Sequence, residues 1–349
     1  MKGMKIGIDF GSSSLKIVTD SKGIVVNEPS IAAIDKETGA PIAFGAAADE
    51  INGRTVDDIE IIKVIHNGVI SDFVIAERML RYYLQRVCGN RIYKPNVIIS
   101  VSTDISSLEK KTLLDAVTLA GAGRVCMIDG ILASSFGCDI EKDKIGGRMT
   151  LDFGHQLTEF AVVSSGSIAS SGAIRSGSDL IDKAIIKHLK RDRDIIIGPH
   201  TAREIKHKIV SAVKRNSETA LMVSGKSNLD MMPISFEVTS SEIYPYVDEQ
   251  LSIITKSIHT EMAKIPPELL ADAADHGITV CGGGALIFDI AERLSEDLSI
   301  RCETSAEPTL AKARGMSFMI KNDDLFETNG YSFIFKDDIR DRLRKVDKF

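Results

Sequence analysis

Asp9 and Asp152 are the residues whose type and setting point most directly to chemistry. Each closes an apolar run and is followed by Phe-Gly, in Ile6-Gly7-Ile8-Asp9-Phe10-Gly11 and again in Leu151-Asp152-Phe153-Gly154. After Gly11 come Ser12, Ser13 and Ser14, and then Leu15-Lys16-Ile17-Val18. This pattern predicts two strands joined by a polar hairpin tip. Small hydroxyl residues beside a glycine let backbone N–H groups approach an anion, and an aspartate behind them can hold a metal-bound water near it. A nucleotide phosphate suits that chemistry. The same residue types also make an ordinary turn, so one hairpin does not choose between the readings.

The second hairpin adds weight. The returning strand after Gly154 is Phe160-Ala161-Val162-Val163, and Gly23 and Gly166 follow the two aspartates at the same offset. A third glycine-rich turn, Cys281-Gly282-Gly283-Gly284-Ala285, follows the strand Ile278-Thr279-Val280. It is expected to open a helix from about Leu286 to Leu298, where backbone amides favour a phosphate or ribose. Three such turns could surround one nucleotide in a cleft between two lobes.

The elements that must carry these turns fit a mixed α/β chain. With 349 residues the chain exceeds one ordinary core, and 44% hydrophobic residues with 5% aromatics suit a core of Ile, Val, Leu and Ala. Strands are predicted at Ile24–Val26, Ile31–Ile34, Ile42–Phe44, Val97–Val101 and Val125–Ile128. Helices are predicted at Ser71–Arg86, Ser106–Ala120, Asp179–Lys190 and Thr201–Lys214. The formal charge of −6 supplies no bulk attraction to nucleic acid. Cys88, Cys126, Cys138, Cys281 and Cys302 show no paired spacing and read as free thiols of a reducing compartment. No signal peptide or membrane-spanning run is evident. Gly225-Lys226-Ser227 lacks the preceding glycine of a phosphate loop and reads as a turn.

Six segments carry a resemblance: Gly7-Ile8-Asp9-Phe10-Gly11-Ser12-Ser13, Val25-Val26-Asn27-Glu28-Pro29-Ser30, Asn67-Gly68-Val69-Ile70-Ser71-Asp72-Phe73, Thr201-Ala202-Arg203-Glu204-Ile205-Lys206-His207, Pro266-Pro267-Glu268-Leu269 and Gly282-Gly283-Gly284-Ala285-Leu286. The sequence resembles the actin and Hsp70 ATPase superfamily and, within it, the MreB family of bacterial actins. The resemblance implies an actin-like, ribonuclease H-like fold with a nucleotide cleft between two lobes. Residues 1–137 would form lobe I (subdomains IA and IB) and 138–309 lobe II (subdomains IIA and IIB). Residues 310–349 would return to lobe I and end in a tail. Gly130–Phe136 and Leu310–Ile320 would be the two helices crossing between lobes.

The resemblance also implies the site. Asp9 and Asp152 would hold Mg2+ through water. Gly11, Ser12, Ser13 and Ser14 would bind the phosphates of ATP from one side, and Gly154, His155 and Gln156 from the other. Arg203, Glu204, Ile205, Lys206, Gly282, Gly283, Gly284 and Ala285 match positions around adenine and ribose. Asp129, helped by Thr158, would orient the attacking water. The family has two glutamates and a proline where this chain reads Ile128-Asp129-Gly130, so the carboxylate would reach about 1 Å less far and hydrolysis would be slower. Gly154-His155-Gln156-Leu157-Thr158 also departs from the family's glycine- and threonine-bearing loop. If that tip needs positive φ, each side chain there costs roughly 1–2 kcal/mol.

The implied function is a filament-forming, cytoplasmic protein at the inner face of the cell membrane that shapes the cell with cell-wall elongation proteins. In the family, the loop matching Asn90–Pro95 presents a hydrophobic pair to the membrane, here Ile92 and Tyr93. Burying them would contribute roughly 1.5–3 kcal/mol each, enough only when a filament repeats the contact. The alternative is an actin-like scaffold that joins filaments of a true MreB without hydrolysing ATP. A chaperone or sugar-kinase ATPase shares the fold but would need a peptide-binding domain or substrate insertion. Beyond Lys321, Phe335, Ile339, Leu343, Val346 and Phe349 would form one apolar stripe on a charged helix, packed on lobe I or free for a partner or a membrane surface.

Overall fold

The computed structural model describes residues 4–52, 58–89, 94–140, 146–322 and 324–335. Contacts divide the chain into two compact units: Met1–Ile145, Val163–Ile168 and Leu310–Phe349 form the first, and Gly146–Val162 and Ala169–Thr309 the second.

The first unit is built on a six-stranded sheet. Its strands are β1 (Lys5–Phe10), β2 (Ser14–Thr19), β3 (Gly23–Pro29), β4 (Asn96–Val101), β5 (Arg124–Asp129) and a short C-terminal strand Ile334–Phe335. From one edge the order is Ile334–Phe335, β5, β4, β1, β2, β3. β1 and β5 run parallel to the central β4, while β2 and β3 continue antiparallel. Val97, Ile98 and Ile99 of β4 are all fully buried, as a parallel strand covered on both faces requires.

Helix α1 (Phe73–Cys88) starts at Asp72, whose side chain accepts from the Ile75 amide, and stops at Gly89 with φ 62°. Helix α2 (Ser107–Ala120) opens on a reciprocal Ser106–Glu109 capping box. Met79, Leu80, Tyr83 and Leu84 of α1 share one core with Leu113, Ala116 and Val117 of α2 and the sheet residues Ile6, Ile8 and Ile17. A smaller sheet of Ile31–Asp35, Pro41–Phe44 and Ile59–Lys63 belongs to the same unit.

Glu28, in one of the segments that carried the resemblance, ties this unit together. It accepts from Tyr83 Oη at 2.6 Å, Arg86 Nη1 at 2.6 Å and the Ala46 amide at 3.2 Å. Gly45 has φ 61° and leaves no room for a Cβ against Tyr83 and Glu28. Burial pushes the Glu28 carboxyl up, but the bonds from Tyr83, Ala46 and Arg86 outweigh it and hold the group below its ordinary 4.5. A depressed carboxyl stabilises the fold fully above the ordinary value and loses that contribution as pH falls through the folded value. Glu28→Gln is therefore expected to cost roughly 1.5–3 kcal/mol at neutral pH. Urea melts from pH 7 down to 3 should show the wild-type advantage shrinking below about 4.5. An advantage constant with pH would sink the assignment.

A second sheet repeats the plan on β6 (Arg148–Phe153), β7 (Thr158–Ser164), β8 (Ser167–Ile174), β9 (Ile278–Cys281) and β10 (Cys302–Thr304). The order β8-β7-β6-β9-β10 matches β3-β2-β1-β4-β5, with β6, β9 and β10 parallel. Gly23 and Gly166, the glycines at matched offsets, both take positive φ at the turn into the third strand. Leu151, Phe153, Ile181, Ile185, Ile205 and Leu251 belong to a separate core.

Several boundaries differ from expectation. The helix expected over Thr201–Lys214 is Pro199–Ile209, because Val210–Ala212 runs alongside Phe288 through a parallel bridge at Ser211. Gly225–Ser227 ends the strand Ala220–Ser227 and is not a turn. Gly283–Leu286 is a 3-10 turn, and the following helix begins only at Ile290. The turn's amides therefore do not sit at that helix's N-terminus. Phe335, placed on a helical stripe by its spacing, pairs instead with Arg124 in a strand. The rest of that stripe, and Ile92 and Tyr93, lie outside the described residues. Among the described residues no cysteine forms a disulfide, and Cys126, Cys281 and Cys302 are buried. Among the described residues, no helix is long and apolar enough to cross a membrane.

Candidate functional site

Parallel strands deliver their carboxyl ends to one edge of a sheet, where ligands of α/β folds bind. In the first unit that edge carries Asp9 on β1, Ser100 on β4 and Asp129 on β5. In the second it carries Asp152 on β6 and the Gly282–Ala285 turn after β9.

The first hairpin loop is closed by Gly11 N–H donating to Ser14 O at 3.1 Å. It is anchored from outside by Ser30 N–H to Ser13 O at 3.1 Å and by Gly68 N–H to Ser12 Oγ at 3.3 Å. Asp9 is 8% exposed, and its Oδ1 accepts from the Ser100 hydroxyl at 3.2 Å. Directly across the ladder stands Lys16, also 8% exposed. Its Nζ donates to Ser14 Oγ at 2.6 Å and lies 4.0 Å from Asp9 Oδ2. The sequence reading overlooked this cation. The signal was there: in a hairpin closed by Gly11 and Ser14, Phe10 faces Leu15 and Asp9 must face Lys16.

The second loop has the same closure, Gly154 N–H to Leu157 O at 3.0 Å, and a Cβ on Gly154 would overlap that carbonyl. None of His155, Gln156 and Leu157 has positive φ, so the strain feared at this tip is absent. Helix α4 (Asp179–Asp192) braces the loop, with Ser178 and Asp179 amides donating to Gly154 O and His155 O at 3.1 and 2.8 Å. Gln156, a candidate phosphate ligand, is 3% exposed and turns inward, its Nε2 donating to Asp179 Oδ2 at 3.2 Å. Only its backbone is offered to a ligand. Thr158 is fully buried and its hydroxyl donates to Ser176 O at 2.8 Å. Gly282, with φ 85°, packs on Asp152 Oδ1 and Phe153 O, and Gly284 lies on the Phe153 ring. Side chains at either position would push the turn off Asp152.

Among the residues expected near adenine and ribose, Ile205 is a core side chain with 0% exposure. Lys206 is buried too. Its Nζ donates to Asp182 Oδ2 at 2.9 Å and Ser178 O at 3.2 Å, and burial lowers its pKa against the pull of Asp182. This is a structural ion pair, which removes Lys206 as an open ligand. Glu204 lies on the exposed face, bonded to Lys208 at 2.7 Å. Arg203 is half-buried and forms no ion pair among the described residues.

Asp129 ends β5 and precedes helix α3 (Gly130–Gly137). Its Oδ2 accepts from Tyr331 Oη at 2.8 Å, a partner from the C-terminal segment that no sequence pattern announced. A Cβ at Gly130 would stand 3.3 Å from Lys312 Nζ, so a lysine fills the space that a longer side chain would take there.

In each unit a loop closed in the same way is backed by a nearly buried aspartate, a setting that suits a phosphate and its cation; the first loop presents Gly11 and three serines, the second Gly154, His155 and Leu157. The first adds a lysine.

A family model described as MreB/Mbl protein matches residues 3–328. The cell shape-determining protein Mbl of Bacillus subtilis (strain 168) is 31% identical over 320 residues, covering 91% of this chain and 96% of that protein. The cell shape-determining protein MreB of Escherichia coli (strain K12) is 32% identical over 316 residues, covering 89% and 91%. Crystal structures of Spiroplasma citri MreB5 bound to ADP and to AMPPNP superpose with TM-scores of 0.87 at 27% and 28% identity. They cover 93% and 95% of this chain and 98% and 99% of theirs. A MamK double helical filament shares the fold at TM-score 0.76 and 16% identity, covering 91% and 99%.

Proposed function

The chain belongs to the MreB/Mbl family of actin-like, cell shape-determining proteins, and we propose that it binds ATP with Mg2+ and assembles into filaments whose state follows the nucleotide. The observation that carries this is the repeated hairpin: Gly11 and Gly154 close their loops with the same bond, behind which Asp9 and Asp152 stand nearly buried. Serine hydroxyls, loop amides and Lys16 supply donors for phosphate oxygens, while the two carboxylates are hard oxygen ligands suited to a hydrated Mg2+. The ADP and AMPPNP of the Spiroplasma citri MreB5 structures support the choice of ligand.

Bound Mg2+ would supply charge neutralisation at the phosphates. Asp129 orients the attacking water. Thr158, fully buried with its hydroxyl donating to Ser176 O, would help only through the loop it holds. Hydrolysis is slow, since a single short carboxylate does this work. The filaments lie on the inner membrane surface, with Ile92 and Tyr93 as the contact, and organise cell-wall synthesis.

High-speed pelleting with electron microscopy, in Mg-ATP, Mg-AMPPNP and EDTA, tests the proposal. Filaments in both nucleotides and none in EDTA are expected. Equal pelleting in EDTA would remove nucleotide control, and absent filaments together with absent ATP binding would leave the scaffold reading. In the same assay with anionic liposomes, aspartate at positions 92 and 93 should abolish co-sedimentation; unchanged co-sedimentation would remove this loop as the anchor.

A further inference from the structure

Residues 329–335 lie beyond the family match and are stitched along β5. Asn329 Nδ2 donates to Leu325 O and Gly166 O, both at 3.0 Å, and Tyr331 N–H donates to Phe326 O at 2.9 Å. The Phe326 ring meets Tyr331 edge-on at 6.4 Å and Phe333 at 6.1 Å, and the Arg124 guanidinium lies over Phe333 at 5.3 Å. Ile334 and Phe335 pair antiparallel with Val125 and Arg124. Counting back along that pairing carries Tyr331 toward the far end of β5, where Asp129 stands.

There one hydroxyl grips one residue twice. Tyr331 Oη donates to Asp129 Oδ2 at 2.8 Å and accepts from the Asp129 amide at 3.3 Å. Burial, reinforced by the Asp129 charge, pushes the phenol far above its ordinary 10, so it remains a donor throughout the physiological range. Among the described residues no other group bonds the Asp129 carboxylate, and Oδ1 keeps its lone pairs.

We propose that Tyr331 is a positioning residue for hydrolysis, fixing the Asp129 carboxylate so that Oδ1 meets the attacking water. This rests on the reading of Asp129 as the water-orienting group. An aspartate reaches less far than a glutamate, so its orientation must be set from behind, and the C-terminal segment does so. In the step served, the water oxygen bonds to the γ-phosphorus as the bridging P–O bond breaks. ADP leaves with the electron pair, and the water proton passes by way of Oδ1 to the phosphate released.

Tyr331→Phe keeps the ring against Phe326 and removes only the hydroxyl. Three measurements separate the outcomes: ATP affinity, single-turnover phosphate release, and a double-mutant cycle with Asp129→Asn in denaturant unfolding of the nucleotide-free protein. Affinity should stay within about twofold while phosphate release falls about tenfold. The double variant should release phosphate no more slowly than Asp129→Asn alone, and the unfolding cycle should show coupling between the two sites. Release within about twofold of wild type, or additive unfolding effects, overturns the positioning role. If wild type binds ATP yet releases no phosphate, the reading of Asp129 falls and the role with it. A matched loss of affinity would instead make Tyr331 a structural support of the site.

Discussion

Gly315→Val is expected to leave no folded protein to assay. Helix α5 (Ala311–Lys321) crosses α3 with two glycines at the contact. A Cβ on Gly315 would overlap the Ala133 carbonyl, and one on Gly137 would overlap that of Ala311. Backbone touches backbone at both points, with no flexible side chain to yield. Restoring van der Waals separation would require the helices to part by roughly 1.5 Å. That movement would open the packing of Ile131, Leu132, Ala313 and Met316, all 0–1% exposed. Overpacking where neighbours can adjust costs about 1–3 kcal/mol. Here the obstacle is main chain, so the loss should exceed about 4 kcal/mol, the range reserved for a named structural failure.

Gly283→Ala serves as the control, since a Cβ there meets nothing within 4 Å and its φ is not positive. It should lie within about 0.5 kcal/mol of wild type in urea unfolding. A soluble Gly315→Val with a wild-type midpoint would show that the helices do not need this approach. The crossing matters for the site because α3 begins directly after Asp129 and α5 carries Lys312 beside Gly130. Separating them displaces the end of β5.

What could be read from the sequence was whatever depends on neighbours in the chain. The Asp-Phe-Gly loops, the capped helix after Ser106 and the glycines after each third-strand turn are local, and their spacing announced them. The repeat of the hairpin in the second half was legible too, because each copy is contained in a short run of residues. Contacts closed over long separations left no such trace. Tyr331 and Asp129 are 202 positions apart, and nothing in a tyrosine followed by Ser332 and Phe333 points to a carboxylate.

Lys206 misled for a related reason. Its place in a family-like segment suggested a ligand, whereas Asp182 and the Ser178 carbonyl claim its ammonium. Glu28 shows the same separation between resemblance and role: its segment carried the family likeness, while its carboxylate accepts from Tyr83 and Arg86. The third glycine turn failed on register. A 3-10 segment and the left-handed Asp289 intervene before the helix, and no periodicity distinguishes those residues from a first helical turn.

Lys16→Met is expected to weaken ATP binding about 10- to 150-fold, equivalent to the roughly 1.5–3 kcal/mol of a charge-assisted hydrogen bond. Methionine preserves the length and packing of a nearly buried stem, so the variant isolates the ammonium. Two accounts of that ammonium compete. In one, Lys16 merely neutralises Asp9, 4.0 Å away, and its loss damages the folded state alone. In the other, it also meets phosphate oxygens beside Ser14, whose hydroxyl it already holds at 2.6 Å.

Asp9→Asn separates them. Placed on Lys16→Met it removes the carboxylate left uncompensated, so apo stability should recover toward wild type, as expected when both members of a nearly buried pair are neutralised. Affinity should not recover, because neither the ammonium nor the ligand of the hydrated Mg2+ is present. Calorimetric titration with Mg-ATP, beside urea melts of the same proteins, reads both quantities. A single Lys16→Met variant binding within about threefold of wild type would sink the phosphate role. Recovery of affinity along with stability in the double variant would confine Lys16 to the fold. Loss of affinity with restored stability would make the hairpin pair Asp9–Lys16 a site in which the protein's own cation and the nucleotide's metal share the charge of one triphosphate.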